Sequence, residues 1–147
     1  RREIRRIFKE NYGMVSGGAL GVDYIATDEA FRLDPSAERI RIFLPTSLEI
    51  YKNYYLEKAK IKIIKRQQAG QLINQLETIV KTNQKAIIEN LEKKRVSKKA
   101  YRERIDREIG FSHELIAFHV NNTEGVQYSI DKAKEKGIPI KIFEYTI

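Results

Sequence analysis

The sequence predicts an α/β protein with an open, mostly parallel sheet covered by helices on both faces. Three observations lead to it. Short β-branched runs alternate with one-faced helical patterns along the 147 residues, and such alternation implies parallel strands joined by right-handed helical crossovers. Glycine, proline or asparagine stands at most junctions between the two kinds of segment, where chain-breaking residues belong. The length and a hydrophobic content of 41% suit one domain, residues 1–147, with one core.

The elements follow in order. Ile4, Ile7 and Phe8 stand at i, i+3 and i+4 within residues 1–10, giving a helix with one apolar side that Asn11-Tyr12-Gly13 ends. Met14-Val15 is the end of a short buried strand, followed by the small-residue loop Ser16 to Gly21. Residues 22–33 carry Val22, Ile25, Ala26, Ala30, Phe31 and Leu33 at helical spacing, and Asp34-Pro35 stops that helix. Ile40 to Leu44 alternates as a strand does, and Ser47 is placed to cap the next helix, which carries Leu48, Tyr51, Tyr55 and Leu56.

Residues 61–108 contain no proline and only Gly70. The spacing of Leu72, Ile73, Leu76, Ile79 and Val80, followed by Ala86, Ile87, Ile88 and Leu91, predicts two or three helices, and Ser97 caps a further one over 98–109. Glu114 to Val120 is a strand, Asn121 to Gly125 a polar loop, Val126 to Lys136 a helix with Gly137 as its left-handed terminator, and Pro139 to Tyr145 the last strand.

The formal net charge of +8 is unevenly spread. Residues 1–57 balance nine basic against nine acidic side chains, residues 58–107 hold fifteen against five, and residues 108–147 hold four against six. The absence of cysteine excludes a disulfide scaffold, a thiolate metal site and a thiol nucleophile. No apolar run approaches the ~18 residues of a membrane span, and the basic start Arg1-Arg2 lacks an apolar signal region behind it. A cytoplasmic protein is therefore expected, with no membrane partner. His113 and His119 lie about 20 Å apart along one strand and cannot share a metal; no metal site and no cofactor are expected.

Two loops follow a strand and open a helix, Ser16–Gly21 and Asn121–Gly125. In an open α/β sheet both lie on the carboxyl edge, where ligands bind. Gly17, Gly18 and Gly21 let the backbone turn and approach a ligand, and the N-terminus of the 22–33 helix favours an anion. The spacing is neither a dinucleotide fingerprint nor a P-loop. A tight strand-to-helix turn accounts for the same glycines, and both readings stay open.

Val15-Ser16-Gly17-Gly18-Ala19-Leu20-Gly21-Val22-Asp23 resembles the strand–GGA-x-G-x-D–helix signature of the SLOG superfamily, the Rossmann-like group that includes DprA-like DNA-processing proteins and LOG-type phosphoribohydrolases. Arg104-Ile105-Asp106 ahead of a strand, the loop Asn121 to Gly125, and Lys136-Gly137-Ile138-Pro139-Ile140 match further family segments in chain order. The resemblance covers residues 14–57 and 101–145; the basic, helical segment 58–100 is an insert relative to it. It implies a pocket for a nucleotide-derived or ribose-phosphate small molecule. Ser16, Gly17, Gly18, Ala19 and Gly21 would form one wall, Asn121, Asn122, Thr123, Glu124 and Gly125 another. Asp23 would face the ligand or cap its helix, and Arg104 would reach the anionic group. It also implies a strand ahead of the first helix, so the first strand of the sheet is expected to be missing from this sequence.

The LOG hydrolases carry a catalytic glutamate that falls on Ser129 here, so hydrolysis of a nucleoside monophosphate is disfavoured unless Glu124 substitutes. A binding protein is the first expectation, and the enzymatic alternative is a nucleotide N-glycosidic hydrolase. From another class comes a DprA-like protein holding single-stranded DNA through Lys93, Lys94, Lys98 and Lys99. For the insert two further readings stand: a solvated mixed-charge face, or a homo-oligomer interface through Leu72, Ile73, Leu76, Ile79 and Val80.

Overall fold

The computed structural model describes residues 1–120 and 123–145. Helix α1 (Arg2–Lys9) leads through a short turn to strand β1 (Met14–Ser16), helix α2 (Val22–Leu33), strand β2 (Ile40–Phe43), helix α3 (Leu48–Lys60) and helix α4 (Arg66–Thr82). Strand β3 (Ile87–Ile88), helix α5 (Lys98–Phe111), strand β4 (Leu115–Val120), helix α6 (Glu124–Lys136) and strand β5 (Ile140–Tyr145) complete the order. The mixed α/β class is as expected, but the strands form two small parallel sheets rather than one: β1-β2-β3 and β4-β5. No helix among the described residues is long and apolar enough to cross a membrane.

Local chemistry explains the boundaries. Ser47 Oγ accepts from the Ile50 N–H at 3.2 Å, and Ser97 Oγ from the Ala100 N–H at 3.1 Å, so both expected caps start α3 and α5. Gly137 ends α6 at φ 78°, as expected of a left-handed C-terminal residue.

One element corrects the sequence reading. Ala86, Ile87, Ile88 and Leu91 share a helical spacing, yet α4 stops at Thr82 and Ile87–Ile88 is a strand paired with Ile42 and Phe43 of β2. Asn83 causes the change. Its extended backbone ends α4 and its side chain accepts from the Lys85 N–H, closing a single 3-10 turn that delivers two β-branched residues to the edge of β2. Leu91, the last member of that spacing, is 65% exposed.

Each sheet has its own core. The larger one gathers Ile7, Phe8, Ile40, Ile42, Leu44 and Tyr51 with Leu72, Leu76 and Ile79 of α4. Three residues of the expected oligomer interface are thus buried inside the protein, and Ile73 and Val80 pack against the same cluster. Segment 58–100 therefore supplies a core helix and a strand. The smaller core joins Ile105 and Ile109 of α5 to Ala133 of α6, with Leu115 and Ile140 packed against them. Helix α5 serves both, since its Tyr101 packs on the larger cluster.

Candidate functional site

The loop between β1 and α2 is folded by contacts from beneath. Arg104 Nη1 donates to the Gly17 carbonyl at 3.1 Å and the Tyr51 hydroxyl to the Gly18 carbonyl at 3.1 Å. Above them the Gly18 N–H reaches Ser16 Oγ at 3.3 Å, and Asp23 turns back to accept from the Ala19 N–H at 3.2 Å. A Cβ on Gly17 would stand 2.7 Å from the Arg104 guanidinium carbon, and one on Gly18 would stand 2.9 Å from Ile42. Gly18 also has φ +66° and Gly21 φ +83°, values that favour glycine. Two of the three glycines are thus buried by close packing, while Gly21 is exposed at the helix start.

That helix start is chemically open. Helix α2 begins after Gly21 with no side-chain cap, so its first-turn N–H groups have no acceptor within the helix and carry the positive end of its dipole. Asp23 occupies itself with the loop. It therefore acts as a clasp between loop and helix and does not cap the helix, as the sequence reading allowed it to.

Beneath the loop lies a charged group that the sequence reading only half identified. Arg104 is largely buried; its Nε has no hydrogen-bond partner and stands 3.4 Å from Glu108 Oε2. Burial opposes its charge most strongly of any single influence, but Glu108, Asp23, Tyr51 and Tyr101 together hold the guanidinium above its ordinary pKa. Burial pushes the Glu108 carboxyl up to about 8, with Arg104 pulling it down and Asp23 adding to the rise. Around Arg104 stand Tyr51, Tyr55 and Tyr101: the Arg104 guanidinium lies 5.0 Å from the Tyr101 ring centroid, and the Tyr51 and Tyr55 rings meet edge to face at 5.0 Å. Burial raises the phenol pKa of both Tyr51 and Tyr101.

Glu108 and the tyrosines were not singled out from sequence. A signal exists: Ala100, Tyr101, Arg104, Ile105, Glu108 and Ile109 occupy one i, i+4 stripe, so Arg104 and Glu108 fall on the apolar side of α5 rather than its solvated side.

Of the second loop, Thr123, Glu124 and Gly125 are described. Asn121 and Asn122 lie outside the described residues. Thr123 precedes α6 without a side-chain cap, and Gly125 is exposed in the first turn with nothing within 4 Å of an added Cβ. Glu124 is exposed and pairs with Lys98 Nζ at 2.7 Å and Arg102 Nη2 at 3.2 Å. Its hydrogen bond to Lys98 holds it below the usual carboxylate range, the opposite of what a proton donor at neutral pH needs. Ser129 Oγ is turned onto its own helix, donating to the Gly125 carbonyl at 3.2 Å.

The basic cluster is partly compensated as well. Lys93 pairs with Glu103 at 3.2 Å, Lys98 with Glu124, and Lys94 donates to the Leu91 carbonyl, while Lys99 is exposed. His119 is buried with Nε2 lacking a hydrogen bond, and His113 is exposed. Among the described residues no group of three histidine, aspartate or glutamate side chains could hold a metal ion. Comparison with protein-family models, curated proteins and solved structures finds no match to this chain.

Proposed function

We propose that the protein binds a nucleotide-derived or phosphoribosyl ligand, with the phosphate seated at the exposed start of α2 and the rest of the molecule directed toward α6. In this reading the two sheets are halves of one Rossmann-like sheet of the SLOG type. The observation that carries the proposal is the loop at Ser16–Gly21, tied down by Arg104 and Tyr51 so that an uncapped helix terminus faces outward. Fixing the loop from below removes an ordering cost that binding would otherwise bear. Backbone N–H groups at such a terminus suit phosphate better than any neutral group. Arg104 takes a supporting part, because its guanidinium is committed to Gly17 and Glu108.

The role proposed is binding rather than bond cleavage. Glu124 is exposed and neutralised by two cations, and Ser129 occupies the position where the LOG hydrolases carry their glutamate. A nucleotide ligand also agrees with the cytoplasmic setting expected from the sequence.

Thermal denaturation with ribose 5-phosphate, adenosine monophosphate and adenosine tests the proposal. At a ligand concentration about 100 times Kd, the two phosphorylated compounds should stabilise the fold by ~2.7 kcal/mol. For a chain of this length that corresponds to a rise in Tm of roughly 5–10 °C. Adenosine should give a much smaller rise. Equal shifts from all three, or none, would remove the phosphate site from the account.

A further inference from the structure

The turn between α3 and α4 gathers positive charge that no neighbouring side chain neutralises. Residues 58–76 hold Lys58, Lys60, Lys62, Lys65 and Arg66 and no acidic side chain. Among the described residues none of these five cations pairs with a carboxylate, whereas Lys52 earlier in α3 holds Glu77, and Lys93 and Lys98 hold Glu103 and Glu124. Between the lysines stand isoleucines that face water. Ile61 is 59% exposed and Ile63 62%, while Ile64 packs on the larger core and anchors the turn. Large aliphatic side chains displayed in this way cost solvation and gain nothing inside the fold.

The backbone holds this display in place. The Lys62 N–H donates to the Ala59 carbonyl at 3.1 Å and the Ile63 N–H to the Lys58 carbonyl at 3.0 Å, the pair of bonds that closes a helix around one left-handed residue. That residue is Lys62, at φ 62°. The corresponding position after α6 is Gly137, the residue such a conformation favours. The α3 turn thus keeps a charge at its tip where the backbone prefers glycine. The residue that follows commonly packs back on its own helix in this motif, yet Ile63 stands out in water.

We infer that the 58–66 turn is a docking surface for an anionic lipid bilayer, with Ile61 and Ile63 entering the acyl boundary and the five cations meeting the headgroup phosphates. The alternation of lysine and isoleucine selects this partner. A lysine stem lies along apolar surface while its ammonium stays among the phosphates, and binding of this kind adds buried aliphatic area to attraction by anionic lipid. A nucleic acid would meet the same charge but gives exposed isoleucines no apolar layer to enter. Single strands are held by stacking on aromatic rings, and Tyr54 nearby is covered by Lys58 Nζ at 4.6 Å from its centroid. The expectation of no membrane partner rests on the absence of a spanning run, and docking on the surface needs none. Ile61 lies about 15 Å along α3 from Tyr51, which supports the Ser16–Gly21 loop. The docking surface and the proposed ligand site therefore stand at different ends of α3, and neither needs the other.

The test is co-sedimentation of the 147-residue chain with vesicles of phosphatidylcholine alone or of phosphatidylcholine mixed equally with phosphatidylglycerol. The chain should partition onto the mixed vesicles and hardly onto the neutral ones, and should be released when salt rises from about 0.1 to 1 M. Replacing Lys60, Lys62 and Lys65 by glutamine should lower partitioning by about a hundredfold, roughly fivefold for each cation. Ile61→Ser with Ile63→Ser should lower it by about tenfold or more. All five side chains are exposed, so Tm should hold in both variants. Lys62→Gly should raise Tm and still weaken partitioning about fivefold. The chain has no cysteine, so Ile63→Cys can carry a single environment-sensitive fluorophore, whose emission should shift to the blue on mixed vesicles. The same label at Glu135→Cys, exposed on α6, should not shift. No partitioning onto mixed vesicles, equal partitioning onto both kinds, or a silent label at position 63 would overturn the inference. A double serine variant that binds as the parent does would overturn it too, by leaving adsorption through charge alone. So would tighter binding of a single-stranded oligonucleotide that needs the lysines but not the isoleucines, which would make the turn a nucleic-acid surface.

Discussion

The Arg104 guanidinium donates to the carbonyl of Gly17 at 3.1 Å, and there is no room between them for a side chain: a Cβ on Gly17 would lie 2.7 Å from the guanidinium carbon. An arginine on α5 is thereby joined to the loop that opens α2, 87 residues away in sequence. The pair should behave as a unit. Arg104→Met is expected to cost roughly 1.5–3 kcal/mol through the lost charged hydrogen bond, and Gly17→Ala a similar amount by displacing the guanidinium. Urea unfolding of the double variant should show less than the sum, with a coupling of about 0.5–3 kcal/mol. Strict additivity would mean that the contact does not hold the loop.

Glu108 gives the protein an unusual response to pH. Its pKa is near 8 in the folded chain, raised first by burial, against about 4.3 when unfolded. Between those values the folded state keeps a proton that the unfolded state has lost, so this group's contribution to stability falls as pH rises toward 8 and is constant above it. Glu108→Gln should remove that slope and be more stable than the parent at pH 9, by roughly 2–4 kcal/mol after allowance for partial exposure. Denaturant midpoints at pH 5, 7 and 9 check this, and parallel profiles for the two proteins would contradict it.

At the acid end Glu29 dominates. Hydrogen bonds from Arg5 and Arg1 hold its pKa at about 2. Below the unfolded value the unfolded chain takes up the proton first, so the stabilisation present above about pH 4.3 declines as pH falls toward 2. Glu29→Gln should be less stable than the parent at pH 7 and flatten this part of the profile. Acid titration followed by circular dichroism reads the difference.

The glycines should separate by their surroundings. Gly18→Ala combines φ +66° with a Cβ 2.9 Å from Ile42 and 3.0 Å from Leu44, and should cost about 2–4 kcal/mol. Gly125→Ala, with open space around it in the first turn of α6, should be neutral or stabilise by up to about 1 kcal/mol. Thermal unfolding of the two variants side by side provides the measurement.

Much of this architecture is legible in the chain. Ile40–Phe43, Leu115–Val120 and Ile140–Tyr145 announce themselves through β-branched and aromatic runs, and Ser47, Ser97 and Gly137 mark boundaries through chemistry that needs no tertiary partner. Ile87–Ile88 does not, because a two-residue strand takes its identity from the edge of β2 and its spacing from Leu91 mimics a helix. The glycine loop is visible in sequence, but its support is not. In a run of alternating charges, Arg104 and Glu108 look like surface residues until the stripe they share with Ile105 and Ile109 is packed inward. The division into two sheets is likewise invisible in local pattern, since every strand reads the same whether or not its neighbour is present.

The tyrosines beneath the loop give the protein an optical handle. The chain has no tryptophan and eight tyrosines, of which Tyr51, Tyr54, Tyr55 and Tyr101 pack on the cluster below Gly18. Its near-ultraviolet emission is therefore undisturbed by energy transfer to indole, and half of the tyrosines sit in one place, the aromatic bed under the Ser16–Gly21 loop. Any event that lifts that loop, loosens Arg104 or shifts α5 changes the environment of those rings, so the unlabelled protein carries its own spectroscopic reporter at the site where a ligand is proposed to bind.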